Sequence, residues 1–306
     1  MMFYGNPAPD AELVILYGNC QTPFLASLLA AACGDKGYLC VLNHAPPGQV
    51  AERPTPEQMQ RCRVYLEQYD SQPDLPAGSD VAPDMRHYGL PLRRYLREHC
   101  PAGCPTLIFP SFVMTCMWPF ASVGDPRNVP EPGYVWGRYP YGNRLALEVL
   151  ARGLSGPAAL DAYHRLSAER WTNPGAVLER ARRKLQERDA HCDIKIADYV
   201  WANFRERHLF LSYAHVRAEA MGELAQRLFD AVQPLLGGDA GAARQRLQAA
   251  IDVLPDMDNL EDPIEPAVAE GLGLKFCEPG MRFRWYTQHW TFDEYMARYL
   301  AYDRSW

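Results

Sequence analysis

Apolar residues run unbroken through Leu13-Val14-Ile15-Leu16-Tyr17, give way to Gly18-Asn19-Cys20-Gln21, and resume at Phe24, Leu25, Leu28, Leu29 and Ala32 until Gly34. The first pattern reads as a buried strand and the second as a helix, so the four residues between them form a strand-to-helix turn. Thr22 suits the cap of that helix and Pro23 its first position. Similar apolar runs predict strands over 38–43, 64–69, 106–111 and 208–213. Pro46, Pro47, Pro54 and Pro56 mark an extended connection after the second strand. Helical spacing covers 143–154, 156–170, 174–188 and 194–207, then a strongly amphipathic stretch from Met221 to Val232, and finally 239–253 and 292–302.

Strands separated by helices imply crossover connections. The expectation is a helix-rich α/β fold, a small parallel sheet flanked by helices, with ligands bound beyond the carboxyl ends of the strands. The chain reads as a single α/β domain over 1–306, with a helical insertion at about 140–207 forming a cap. No internal repeat or low-complexity segment interrupts it.

Composition narrows the function. The 306 residues are 48% hydrophobic and 22% charged, enough to bury a large core, and the formal charge of −6 argues against nucleic acid as a partner. Nine cysteines are scattered without a CxxC pair; Cys100 and Cys104 are the closest two, and without a second ligand pair at zinc-type spacing no metal site is expected. The pattern suggests reduced thiols in a cytoplasmic protein, and no apolar run is long enough for a transmembrane segment.

Cys20 is the candidate nucleophile. A thiol at the start of a helix faces backbone N–H groups and the positive end of the helix dipole, which favour a thiolate and suit an oxyanion. The plainer alternative is a small buried residue closing a tight turn. A thiol nucleophile needs a base, and His215, at a second predicted strand-to-helix turn, is the best placed of eight histidines. His44 is the runner-up, and Asp193 or Asp198 could orient the ring.

Ser111 and Trp118, in the aromatic loop after the fourth strand, either pack in the core or line a ligand pocket. Arg138, Asn143 and Arg144 belong to a segment rich in aromatic faces and amides, and Arg86-His87 and Arg93-Arg94 add positive charge. The run from Arg180 to Lys184 is interleaved with Glu179 and Glu187 and reads as a solvated face.

Gly18-Asn19-Cys20-Gln21, Phe109-Pro110-Ser111 with Trp118-Pro119, and Leu209-Phe210 with His215 together resemble the WcbI-type polysaccharide biosynthesis enzymes. The likeness continues through Pro263-Ile264-Glu265-Pro266, Leu272-Gly273-Leu274 and Thr291-Phe292-Asp293-Glu294-Tyr295. Two positions depart from the family pattern: Tyr213-Ala214-His215-Val216 stands where Asn-His-Pro is expected, and Glu265 where a His is expected.

The resemblance implies a capsule-building O-acetyltransferase that takes coenzyme A or acetyl-CoA and acts on a glycan or sugar-nucleotide acceptor. Cys20 would be the nucleophile or would position the thioester, with His215 as general base. Coenzyme A contacts are then expected from Gly18, Asn19, Gln21, Arg86, Ser111, Trp118, Arg138, Asn143 and Arg144. The turn is also similar to that of SGNH-like esterases with Cys in place of Ser. A glycan esterase and a non-catalytic glycan- or nucleotide-binding component are the rival readings.

Overall fold

The computed structural model describes residues 1–44, 52–69, 89–122 and 124–306. In chain order the elements are β1 (Met2–Gly5), β2 (Leu13–Gly18), α1 (Thr22–Ala32), β3 (Gly37–Leu42), α2 (Pro56–Gln60), β4 (Cys62–Tyr69), α3 (Gly89–His99) and β5 (Thr106–Pro110). There follow β6 (Ala121–Ser122), β7 (Gly142–Asn143), α4 (Arg144–Ala151), α5 (Gly156–Arg170), α6 (Pro174–Ala190), α7 (Ala197–Asn203), α8 (Ala218–Leu236) and α9 (Ala240–Ile251). The chain closes with α10 (Pro266–Leu272), β8 (Phe283–Trp285), β9 (Gln288–Trp290) and α11 (Phe292–Ala301).

These elements form two compact units. The first comprises Met1–Phe112, Gln186–Tyr199 and Arg217–Met257; the second comprises Val113–Leu185, Val200–Val216 and Asp258–Trp306. The helical stretch expected as an insertion at about 140–207 is therefore shared between the units.

The first unit holds a five-stranded sheet in the order β1-β3-β2-β4-β5. The pairs β2–β3, β2–β4 and β4–β5 are parallel, as the helices between them require, while β1 adds an antiparallel edge against β3. The sheet is thus mixed, and β1 is the strand the apolar pattern did not reveal, since its residues alternate between exposed and half-buried. All of β2 is buried. Leu13, Ile15 and Tyr17 share one apolar face with Met59 of α2 and Leu92 and Leu96 of α3, and alternation turns Val14 and Leu16 to the other face. Helices α1, α8 and α9 pack on one another in the same unit.

The second unit is built on aromatic rings. Trp285 lies 4.6 Å from Tyr295 and 6.0 Å from Tyr139, and all three are buried. The indole of Trp285 donates to the Arg138 carbonyl (2.9 Å), satisfying its one polar atom. Helix α5 packs on α11, and α4 on α5.

One expected strand is absent from the sheet. Residues 208–213 form an irregular loop with a single bridge between Phe210 and Val216, although Leu209, Phe210 and Leu211 are fully buried. Burial alone produces the same apolar run in a loop as in a strand, which is why the pattern misled.

Candidate functional site

The Cys20 turn in the first unit is assembled from amides. Strand β2 ends at Gly18, which pairs with Leu42 of β3, and Asn43 donates its N–H to the Gly18 carbonyl (2.8 Å). Gly18 must be glycine: a Cβ there would lie 2.6 Å from both Cβ and Oε1 of Gln68. That close approach lets Gln68 Oε1 accept from the Asn19 N–H (2.8 Å) while its Nε2 donates to Gln21 Oε1 (3.0 Å). Gln21 is fully buried and exchanges two hydrogen bonds with the Phe112 backbone, donating to its carbonyl and accepting from its N–H, each at 2.9 Å. The Asn19 side chain accepts from the Gln21 N–H (2.9 Å). Cys20 remains half-buried at the apex.

Helix α1 begins at once after this turn, with Pro23 in its first turn. The expected Thr22 cap is replaced: Gln21 occupies the cap position without a side-chain cap bond, and the Thr22 hydroxyl donates to the Asn19 carbonyl instead. A helix start beside a half-buried thiol is a site where negative charge is stabilised. His44 lies two residues past the Gly18–Leu42 pair, with Nδ1 2.8 Å from Asn43 Oδ1.

His215 belongs to the second unit and sits in a tight loop. Its carbonyl accepts from the N–H groups of Leu211 (2.8 Å) and Ser212 (3.3 Å), and its own N–H donates to Ser212 Oγ (3.2 Å). Nδ1 lies 2.8 Å from Asp258 Oδ2 and 3.0 Å from the Tyr141 hydroxyl. A carboxylate only accepts, so the short contact fixes the proton on Nδ1 and leaves Nε2 as the basic nitrogen. Asp258 is itself held: Oδ1 accepts from the N–H groups of Asn259 (2.7 Å) and Leu260 (3.2 Å), and Arg284 donates to its carbonyl (2.6 Å). Burial raises the Tyr141 hydroxyl well above the ordinary tyrosine range, so it stays protonated and donates to Asp258 Oδ2 (3.4 Å).

Neither aspartate considered from sequence orients this ring. Asp193 accepts from the Ile108 N–H (2.7 Å), and Asp198 pairs with Arg227 (2.6 Å). Asp258 lies 43 residues from His215, and only folding brings them together.

The other expected cofactor contacts belong to both units. Ser111 is buried in the first unit. In the second, the buried Trp118 donates its indole N–H to the Asp262 carbonyl (2.8 Å), and Asn143 caps α4 through the N–H groups of Leu145 (3.0 Å) and Ala146 (3.1 Å). Arg138 pairs with Glu131 (2.9 Å) and stacks over Tyr134, while the exposed Arg144 donates to the Pro119 carbonyl (2.6 Å). Arg86 and His87, like Pro46 and Pro47, lie outside the described residues.

Trp118, Tyr141, Asn143, Asp262 and Glu265 line a cavity of about 30 Å³ in the second unit. That is room for a water, not for a cofactor. Burial pushes the Asp262 carboxyl up to about 8, and burial also raises Glu265, which accepts from Ser167 Oγ (2.7 Å). A larger groove of about 970 Å³, bounded by Pro266, Ala269, Lys275, Cys277 and Phe283, contains none of the expected site residues.

The family model for the polysaccharide biosynthesis enzyme WcbI matches residues 13–234, from β2 into α8 and across both turns. The chain belongs to the WcbI family. Among curated proteins nothing matches. A solved structure of WcbI, described as a novel polysaccharide biosynthesis enzyme, is similar to this fold at a TM-score of 0.63 and 17% identity, covering 96% of this chain and 91% of that one. That structure is described as a native form without a disulfide bond between coenzyme A and one of its cysteines. Family membership makes this chain a polysaccharide biosynthesis enzyme, and among the described residues no helix is long and apolar enough to cross a membrane.

Proposed function

We propose that this chain transfers an acyl group, acetyl being the simplest, from a coenzyme A thioester to a sugar hydroxyl during capsule-type polysaccharide synthesis. The observation that carries the reading is the pairing of His215 Nδ1 with Asp258 Oδ2 at 2.8 Å, which leaves Nε2 as a base. The family and the half-buried thiol at the start of α1 supply the rest.

In this scheme His215 Nε2 takes the proton from the sugar hydroxyl as its oxygen attacks the thioester carbonyl. The C–S bond breaks, an ester forms, and the proton returns to the coenzyme A sulfur. Cys20 acts in one of two ways: it accepts the acyl group first, exchanging one thioester for another at little free-energy change, or it positions the thioester for direct attack. Backbone N–H groups at the start of α1 are the candidate donors to the oxyanion. Asn19, Gln21 and Gln68 hold the turn that carries the thiol.

Calorimetry with coenzyme A on ligand-stripped protein tests the reading, together with acetyl transfer from acetyl-CoA to a panel of sugars. Micromolar binding is expected, with transfer abolished in Cys20→Ser and His215→Ala while binding persists. Absence of coenzyme A binding, with hydrolysis of acetylated sugars, would replace the transferase by an esterase. Loss of transfer in His44→Ala but not in His215→Ala would move the base to the first unit.

A further inference from the structure

Cys100 and Cys104, close in sequence, meet the remote Cys62 in the first unit, at the end of the sheet opposite the Cys20 turn. Cys62 opens β4 and pairs with Leu13, the first residue of β2, whereas Cys20 follows its last. Cys100 comes directly after α3, and Cys104 precedes the Pro105 that leads into β5. Their sulfur atoms all lie within 4.8 Å of one another, and Cys104 Sγ is 3.7 Å from Cys62 Sγ.

The backbone fixes each of them. Cys100 donates its N–H to the Leu96 carbonyl (3.0 Å), Cys104 to the Pro101 carbonyl (3.0 Å), and Tyr65 to the Pro105 carbonyl (2.9 Å). Cys62 is buried in the apolar face with Met59, Tyr65 and Leu96, while Cys100 and Cys104 are half-buried at its margin.

We propose that Cys62, Cys100 and Cys104 form a thiolate site for a soft divalent cation of the Zn²⁺ type, tying the end of α3 and the turn into β5 to the start of β4. A tetrahedral centre with Zn–S bonds of about 2.3 Å separates its sulfurs by roughly 3.8 Å. The Cys62–Cys104 distance of 3.7 Å already meets that spacing. It is far from the ~2.05 Å of a disulfide. Three sulfur donors select Zn²⁺ over Mg²⁺ or Ca²⁺, which prefer oxygen. The half-buried side of the cluster admits water as the fourth ligand.

Metal entry expels three protons, one from each thiol, to solvent. Because those protons leave as the metal enters, affinity tightens as pH rises. The site stands apart from the acyl-transfer chemistry and does not depend on it.

The experiment uses the full-length, reduced protein carrying Cys20→Ser, with Zn²⁺ and Co²⁺ as the probes. One equivalent of Zn²⁺ should survive desalting and raise Tm, Co²⁺ should give a thiolate-to-metal charge-transfer band, and Zn²⁺ should protect all three thiols from alkylation in a peptide map. Cys104→Ser should weaken Zn²⁺ binding at least about tenfold. Cys277→Ser, a half-buried thiol outside the cluster, should bind as the parent does. The alkylation map answers the question even if Cys104→Ser does not fold. No charge-transfer band and no protection would overturn the proposal, as would a native disulfide among the three whose reduction yields no metal affinity.

Discussion

The Cys20 turn and the His215 loop each follow a buried apolar run, but they are held by different forces. Around Cys20 the supporting groups are neutral amides: Gln68 bridges Asn19 and Gln21, and Gln21 completes a two-way exchange with the Phe112 backbone. Around His215 they are ionisable: Asp258 on Nδ1, a tyrosine hydroxyl beside it, and a second carboxyl, Asp262, in the cavity that Tyr141 also lines. Amides hold geometry without responding to pH. A histidine–carboxylate pair trades that indifference for the ability to move a proton, which is the role the proposed function gives it.

The largest effect should come from breaking the charged side of this contrast. Asp258→Asn keeps the shape but can donate to Nδ1, which favours the tautomer with its proton on Nε2 and removes the base. We expect acetyl transfer to fall about 10²- to 10⁴-fold with coenzyme A affinity unchanged. Steady-state rates beside calorimetry separate the two, and an Asp258→Asn enzyme at full rate would show that the pairing serves only the fold.

How far the two turns were legible follows from the same contrast. The Cys20 turn was readable because strand, turn and helix are contiguous, and local pattern suffices for such a unit. Its amide support was not, although Glu67-Gln68, buried after the apolar run Val64-Tyr65-Leu66 of β4, was a signal: a buried polar residue in a central strand needs a partner. His215 was picked out for following a strand that does not exist. The choice rested on burial of Leu209 to Leu211, and its true partner, Asp258, is remote in sequence. The same limit hid the cysteine cluster, since Cys62 reaches Cys100 and Cys104 only through the pairing of β4 with β5.

A second test concerns pH. Burial raises the Asp262 carboxyl from 3.8 to about 8 in the folded chain, so the folded state holds a proton that the unfolded state has lost. The stability associated with that proton is complete below about pH 3.8 and is lost as pH rises to about 8, by at most about 1.4 kcal/mol per pH unit. Asp262→Asn cannot titrate. Its stability relative to the natural chain should therefore grow steadily between pH 4 and pH 8 in urea unfolding, and parallel curves would mean that Asp262 is ionised in the fold.

The smallest effect should come from the amide side, and its signature is insensitivity to pH. Gln68→Leu fills similar space but removes the acceptor for the Asn19 N–H and the donor to Gln21 Oε1. Gln21 Oε1 keeps the Phe112 N–H, so the main loss is one backbone donor in the turn. A buried polar group left unpaired costs about 1–3 kcal/mol, and the loss should be equal at pH 5 and pH 8. Gln68→Glu supplies the contrast. Ionised, it still accepts from Asn19 but places a negative charge against Gln21 Oε1; protonated, it restores a donor. Its stability should approach that of the natural chain at low pH and fall away as pH rises. If Gln68→Leu were itself pH-dependent, or if Gln68→Glu were not, the amide scaffold would not be the neutral support that sets the Cys20 turn apart from the His215 loop.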